Sequence, residues 1–253
     1  MTDITLEKQP VRRFDFTRLF SILTRPRQVF GEMAAEPRTT WLPPMLLLTV
    51  TAILLVVVAG YLKTRAATIG EVQLPPDWQY WSPDMQNNYM QAQQATQGVT
   101  FMYVIPLVGA LSALWIGWVL VAGLLHLVST LLGGRGSMQG ALNIVAWSSL
   151  PFVIRDLLRI VYVLLAKHAI ASPSLSGFAT SSGFFSQLLA RLDLFVLWYV
   201  ILLVIGFAIA DGLTRGKAVV GVVVVMLLVI LAQAGIGSLT SGFGGQAIQR
   251  PFF

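Results

Sequence analysis

The amino-acid sequence predicts an all-α, polytopic integral membrane protein: a bundle of five transmembrane helices with a short amphipathic N-terminal segment. Three observations lead there. Charged residues make up only 11 % of the chain and hydrophobic ones 56 %, whereas a soluble domain carries about 25 % charge. Mean hydropathy is +0.74. The shortage of charge is also uneven, because charges crowd into the first forty residues and a few short breaks. A bilayer explains this pattern: it expels charge and needs about twenty apolar residues per spanning helix.

The formal net charge of +6 would suit a nucleic-acid partner if the arginines formed one dense run. They sit beside apolar segments instead, so the expected partner is the lipid bilayer and not nucleic acid. Cysteine is absent, which removes disulfides, thiolate metal sites and cysteine nucleophiles. The first apolar run begins too late and runs too long for a signal-peptide core, and is expected to remain as a span.

Residues 1–40 form the N-terminal segment, expected to be cytoplasmic. Phe16, Leu19, Phe20 and Leu23 fall at helical spacing beside Arg12, Arg13 and Arg18. The pattern suits a surface helix with Phe16 and Phe20 toward lipid and the arginines toward headgroups; the alternative is a tail packed on the bundle. Pro26 opens a second short helix carrying Val29, Phe30 and Met33 on one side, and Pro37 ends it.

The membrane domain is predicted over 41–237, with spans at about 41–62, 99–132, 141–166, 194–210 and 218–236. Trp41 and Tyr61 bracket the first as interfacial anchors. In the loop after it, Ser82-Pro83-Asp84 marks a helix start, with a capping hydroxyl, a proline at the first position and an acid in the first turn. The second span exceeds what a bilayer requires and carries Pro106, which predicts a kink, a tilt or an extra-membrane turn. Its Gly109, Ala113 and Gly117 recur every four residues, a small-residue face on which another helix can approach closely. Gly133-Gly134-Arg135-Gly136 then makes a tight turn. The third span contains Pro151, and the fifth is rich in valine. Residues 238–253, rich in Gly and Ser at their start, are expected to be a flexible tail.

With the N-terminus inside, ten lysines and arginines lie on the cytoplasmic side and five opposite. The bias predicts a cytoplasmic N-terminus and an external C-terminus.

Arg155, Asp156 and Arg159 are the conspicuous polar cluster. Arg155 and Arg159 share a helical face, and each charge costs about 2.5–3.5 kcal/mol at mid-membrane. The group is therefore expected to pair internally, to meet a partner acid such as Asp193, or to snorkel at the outer end. As a site it would suit a lipid headgroup, an anion or a membrane partner. His126 stands alone among leucines and is expected to make an interhelical hydrogen bond, not a metal site. Asp211, with Arg215 and Lys217 just beyond, reads as a surface ion pair. No zinc-protease or nucleophile-elbow motif occurs, and nothing selects Ser129 or Ser148 as a nucleophile. No catalytic residue, cofactor or metal is expected.

Several of these residues, in this order, carry a resemblance. Arg25-Pro26 with Val29-Phe30 precedes the spans, Gly133-Gly134-x-Gly136 precedes Ala146-Trp147-Ser148-Ser149-Leu150-Pro151, and Gly206 leads to Asp211-Gly212-Leu213-Thr214-Arg215-Gly216-Lys217-Ala218. The chain resembles the bacterial branch of the YIP-domain family, whose eukaryotic members are Ypt/Rab-GTPase-interacting membrane proteins. The resemblance extends from about Phe20 to Ile236. It implies five transmembrane helices, a cytoplasmic N-terminus and a bacterial inner-membrane location, and supplies no catalytic residue. This N-terminal segment is much shorter than the eukaryotic cytoplasmic domains, so a trafficking role does not carry over. The resulting expectation is a non-enzymatic membrane scaffold or adaptor working through a membrane-protein partner or self-association. The alternative is a small-solute, anion or lipid transporter using Arg155, Asp156 and Arg159.

Overall fold

A computed structural model describes residues 17–35, 38–68, 77–168, 170, 174–179 and 183–243, and among these every regular element is helical. Two short helices come first, α1 (Thr17–Thr24) and α2 (Pro26–Ala35). The long α3 (Leu42–Thr68) and the polar α4 (Pro83–Thr96) follow. A π-helical turn, Thr100–Val104, leads into α5 (Ile105–Leu131). Then come α6 (Met138–Ser148), α7 (Leu150–Ala166), the short α8 (Phe184–Leu189), α9 (Leu194–Ala210) and α10 (Arg215–Phe243).

Three stretches are long and apolar enough to cross a membrane: Leu42–Arg65, Thr100–Leu131 and Arg215–Leu239. The apolar α9 is shorter at 17 residues. The stretch predicted as a third span is divided, because α6 ends at Ser148 and α7 begins at Leu150, with Ser149 between them. Pro151 has no N–H to continue the ladder, and Ser149 turns its hydroxyl back onto the Val145 carbonyl at 2.7 Å. The eleven residues of α6 thereby become an interior helix between α5 and α9 and not half of a lipid-facing rod.

The long second stretch starts with its π turn directly before Pro106. The missing proline N–H loosens bonding in that turn, and the helix stays continuous through it. The predicted start at Ser82 is present: its hydroxyl accepts from the Met85 N–H at 3.3 Å and Pro83 opens α4.

Trp147, Phe30, Phe207, Ile22, Met45 and Ile144 are the largest fully buried side chains. Two come from the N-terminal helices, so the apolar face of α2 lies on α9 and α6 instead of on lipid. Hydrogen bonds tie the linker into α3 to α6. Asn143 accepts from the Thr40 N–H at 3.0 Å and donates to the Arg38 carbonyl at 2.7 Å, while Trp147 Nε1 donates to the Thr40 carbonyl at 2.9 Å. Trp41, predicted as an interfacial anchor, packs on Trp118 with ring centroids 4.9 Å apart.

Of the stretch 238–253 expected to be a flexible tail, residues 238–243 are helical and the rest lies outside the described residues. Helix α10 continues to Phe243, and its small residues near Gly237 let α8 pack closely against it.

Candidate functional site

Arg155 and Arg159 are brought to Asp193, which stands at the start of α9. Asp193 caps that helix, one carboxylate oxygen accepting the Val196 N–H at 2.8 Å. Its other oxygen lies 3.7 Å from Arg155 Nη1 and 3.9 Å from Arg159 Nη2, and accepts from Ser174 Oγ at 3.4 Å. Arg155 Nε donates to Asp156 at 3.2 Å, and its guanidinium lies 4.6 Å above the Phe152 ring. Two guanidinium groups and two carboxylates make a network whose formal charges cancel, with side chains between 11 % and 19 % exposed. Such a network holds α7 to the start of α9 and leaves little uncompensated charge for an added anion.

A different arginine lacks that compensation. Arg191, in the turn between α8 and α9, donates to the Gln233 side-chain oxygen at 2.9 Å and to the Gln233 carbonyl at 3.1 Å. Its Nε is buried without an acceptor. Burial draws its guanidinium below the ordinary arginine value, and no carboxylate acts in the other direction.

At the opposite end of α9, Asp211 corrects the expected surface ion pair with Arg215 and Lys217. It is 3 % exposed and accepts a short hydrogen bond from Ser129. Its backbone carbonyl accepts the Arg135 N–H at 3.1 Å, and Lys217 Nζ reaches the Leu132 carbonyl at 2.8 Å instead. The end of α5 and the turn after it are thus joined to the 211–214 turn, Ser129 reaching Asp211 across 82 positions of sequence. Gly136 lies against the Asp211 carboxylate so closely that any Cβ there would overlap it. His126 corrects a second expectation: among the described residues its imidazole makes no hydrogen bond, and Nδ1 is buried without a partner. The Ser129 hydroxyl points to a carboxylate and not to the imidazole, so no serine–histidine pair forms there.

Burial pushes the Asp211 carboxyl above the usual carboxylate range, opposed by the Ser129 hydrogen bond and by His126. A raised folded value means the native state binds the proton more tightly than the unfolded chain. Between the ordinary value and the raised one, the Asp211 contribution to stability therefore declines as pH rises. Asp211→Asn keeps an acceptor for Ser129 and removes the charge. Its stability relative to the parent is expected to improve as pH rises above the ordinary carboxylate value of about 4. Thermal unfolding of both proteins across that range reads the difference, and a pH-independent gap would contradict the burial argument.

Among the described residues, the predicted small-residue face of α5 contacts no other helix. A Cβ added at Gly109 or Gly117 meets nothing within 4 Å, and Ala113 is exposed. Of the N-terminal candidates, Arg18 lies 3.9 Å from Glu32 and Phe20 is 76 % exposed. Arg12, Arg13 and Phe16 lie outside the described residues.

The motifs scattered along the sequence meet in this structure: Phe30 and Ile144 close on Gly206, and the glycine turn closes on Asp211. The Yip1 domain family matches residues 20–236. The chain belongs to the Yip1 domain family. No curated protein and no solved structure matches it. The Yip1 match spans the Gly206 and Asp211 contacts and the Arg155–Asp193 network, and the family is not one known for an enzymatic activity.

Asn143 and Gln233 went unremarked in the sequence, and Ser129 was weighed only as a nucleophile. Asn143 carried the best signal, as an amide inside an otherwise apolar stretch that must find partners at that depth.

Proposed function

We propose that this Yip1 domain is a non-enzymatic scaffold or adaptor of the bacterial inner membrane, multi-pass, with its N-terminus cytoplasmic and its C-terminus outside. The observation that carries the reading is the uncovered small-residue face of α5. Only 11 % of the most apolar window of that span is buried, against 28 % and 33 % for the spans in α3 and α10. Small residues facing lipid forgo packing, and a second helix laid on Gly109, Ala113 and Gly117 recovers it. The balanced Arg155–Asp156–Arg159–Asp193 network supports a structural role over an anion path for transport. Basic residues near the N-terminus, Arg12, Arg13 and Arg18, with Phe16 and Phe20, would add contacts to the cytoplasmic leaflet.

The absence of cysteine makes a direct test possible. Ala113→Cys, oxidised in native membranes, is expected to give a covalent adduct with a second copy or a partner engineered likewise. Leu165→Cys, on the exposed face of α7, is expected to give none. Equal yields from the two positions would mean random collision and defeat the reading. Gly109→Leu should lower the Ala113→Cys adduct severalfold by holding the helices apart.

A further inference from the structure

Charge accounting at the end where α9 begins separates two groups of arginines. Arg155 and Arg159 share two carboxylates. Arg191 has none within ion-pair reach among the described residues. An arginine withdrawn from water without a counter-charge is costly, and such groups are retained where something negative completes them.

We propose that Arg191, Gln187 and Gln233 hold the phosphate of an anionic phospholipid at this end of the bundle. The guanidinium has five N–H groups, and its two hydrogen bonds both go to Gln233. Nε remains buried without an acceptor. Gln187 presents a side-chain amide beside it that makes no hydrogen bond among the described residues. The two side chains converge over Gly237, where an added Cβ would stand 3.0 Å from Gln187 Oε1 and 3.5 Å from Arg191 Nη2. Glycine therefore lets the Gln187 carboxamide and the Arg191 guanidinium close directly onto the α10 backbone, side by side.

The surroundings select a lipid as the source of the phosphate. Phe184, Phe185, Leu194 and Ile236 are exposed apolar side chains on the three helices around the arginine. Arg191 lies two residues before the cap of α9, and Gln233 lies near the end of the apolar stretch of α10. That places the cation at headgroup depth with apolar surface below it for acyl chains. Arg donors in a bidentate fork suit a phosphodiester, and the neighbouring amide accommodates its remaining oxygen.

The full chain, purified into zwitterionic micelles, is exposed separately to phosphatidylglycerol, phosphatidylcholine and inorganic phosphate. Native mass spectrometry reads retained lipid and thermal unfolding reads stabilisation. Phosphatidylglycerol is expected to stay bound at one per chain and to raise the melting temperature, with phosphatidylcholine and inorganic phosphate doing neither. Arg191→Gln is expected to weaken phosphatidylglycerol about tenfold or more. Gly237→Val, which pushes the Gln187 and Arg191 side chains apart and keeps every charge, should do the same, so a folding defect in one variant leaves the other to decide. Arg65→Gln, an exposed charge at the same end, should change nothing. Retention that ignores Arg191 and Gly237, equal retention of phosphatidylcholine, or full stabilisation by inorganic phosphate alone would each overturn the assignment.

Discussion

Asp193→Ala is expected to destabilise the protein by about 3–5 kcal/mol, because it strips the counter-charge from two largely buried guanidinium groups. Arg155 and Arg159 would retain Asp156 and a net positive charge in a place where side chains are at most 19 % exposed. The same change removes the acceptor for the Val196 N–H, and loss of a helix cap costs about 0.5–2 kcal/mol by itself. Asp193→Asn separates the two contributions. The amide oxygen still caps α9 while the charge is gone, so this variant should fall between the parent and Asp193→Ala. Thermal unfolding in mild detergent, followed by tryptophan fluorescence, measures all three. A loss below about 0.5 kcal/mol for Asp193→Ala would place these ion pairs with ordinary solvated ones.

Asp193 also shows what a sequence of this kind reveals. Two arginines one turn apart in an apolar stretch require a nearby acid, and Asp193 was identifiable because carboxylates are scarce in the apolar part of the chain. The bounds of α9 were equally readable, since Asp193 caps one end and the Asp211-Gly212 turn closes the other. The interruption at Ser149 was less so. A proline in an apolar run is compatible with a kinked span or with two helices, and which one forms depends on how α6 packs between its neighbours. Asp211 misled for a related reason. Local sequence offered Arg215 and Lys217 as partners, whereas the actual donor, Ser129, is 82 positions away. Hydrophobic periodicity identifies helices and gives no information on which turns will meet at their ends. The docking of α2 was hidden in the same way, because its apolar face suits lipid and protein alike.

That docking rests on one glycine. Gly206 has no side chain where Phe30 and Ile144 arrive, and a Cβ built there would stand 2.5 Å from Ile144 Cγ2 and 3.2 Å from Phe30 Cε1. Both neighbours are essentially without solvent contact, so neither moves aside without opening the core. Gly206→Ala is therefore expected to cost about 1–3 kcal/mol through overpacking, even though alanine is the better helix former. The strain should be relieved by lifting α2, which would expose residues 26–35 to protease while the long helices stay intact. Phe30→Ala alone is expected to cost about 3–5 kcal/mol by cavity formation. Combined with Gly206→Ala, it should cost less than the two losses added, because the new methyl group enters part of the space that the ring vacates. Strict additivity, with no change in protease sensitivity at α2, would mean that the N-terminal helix does not depend on the Gly206 contact. Sub-additivity would tie the docking of the N-terminal helix to the packing of the membrane domain through a single van der Waals contact.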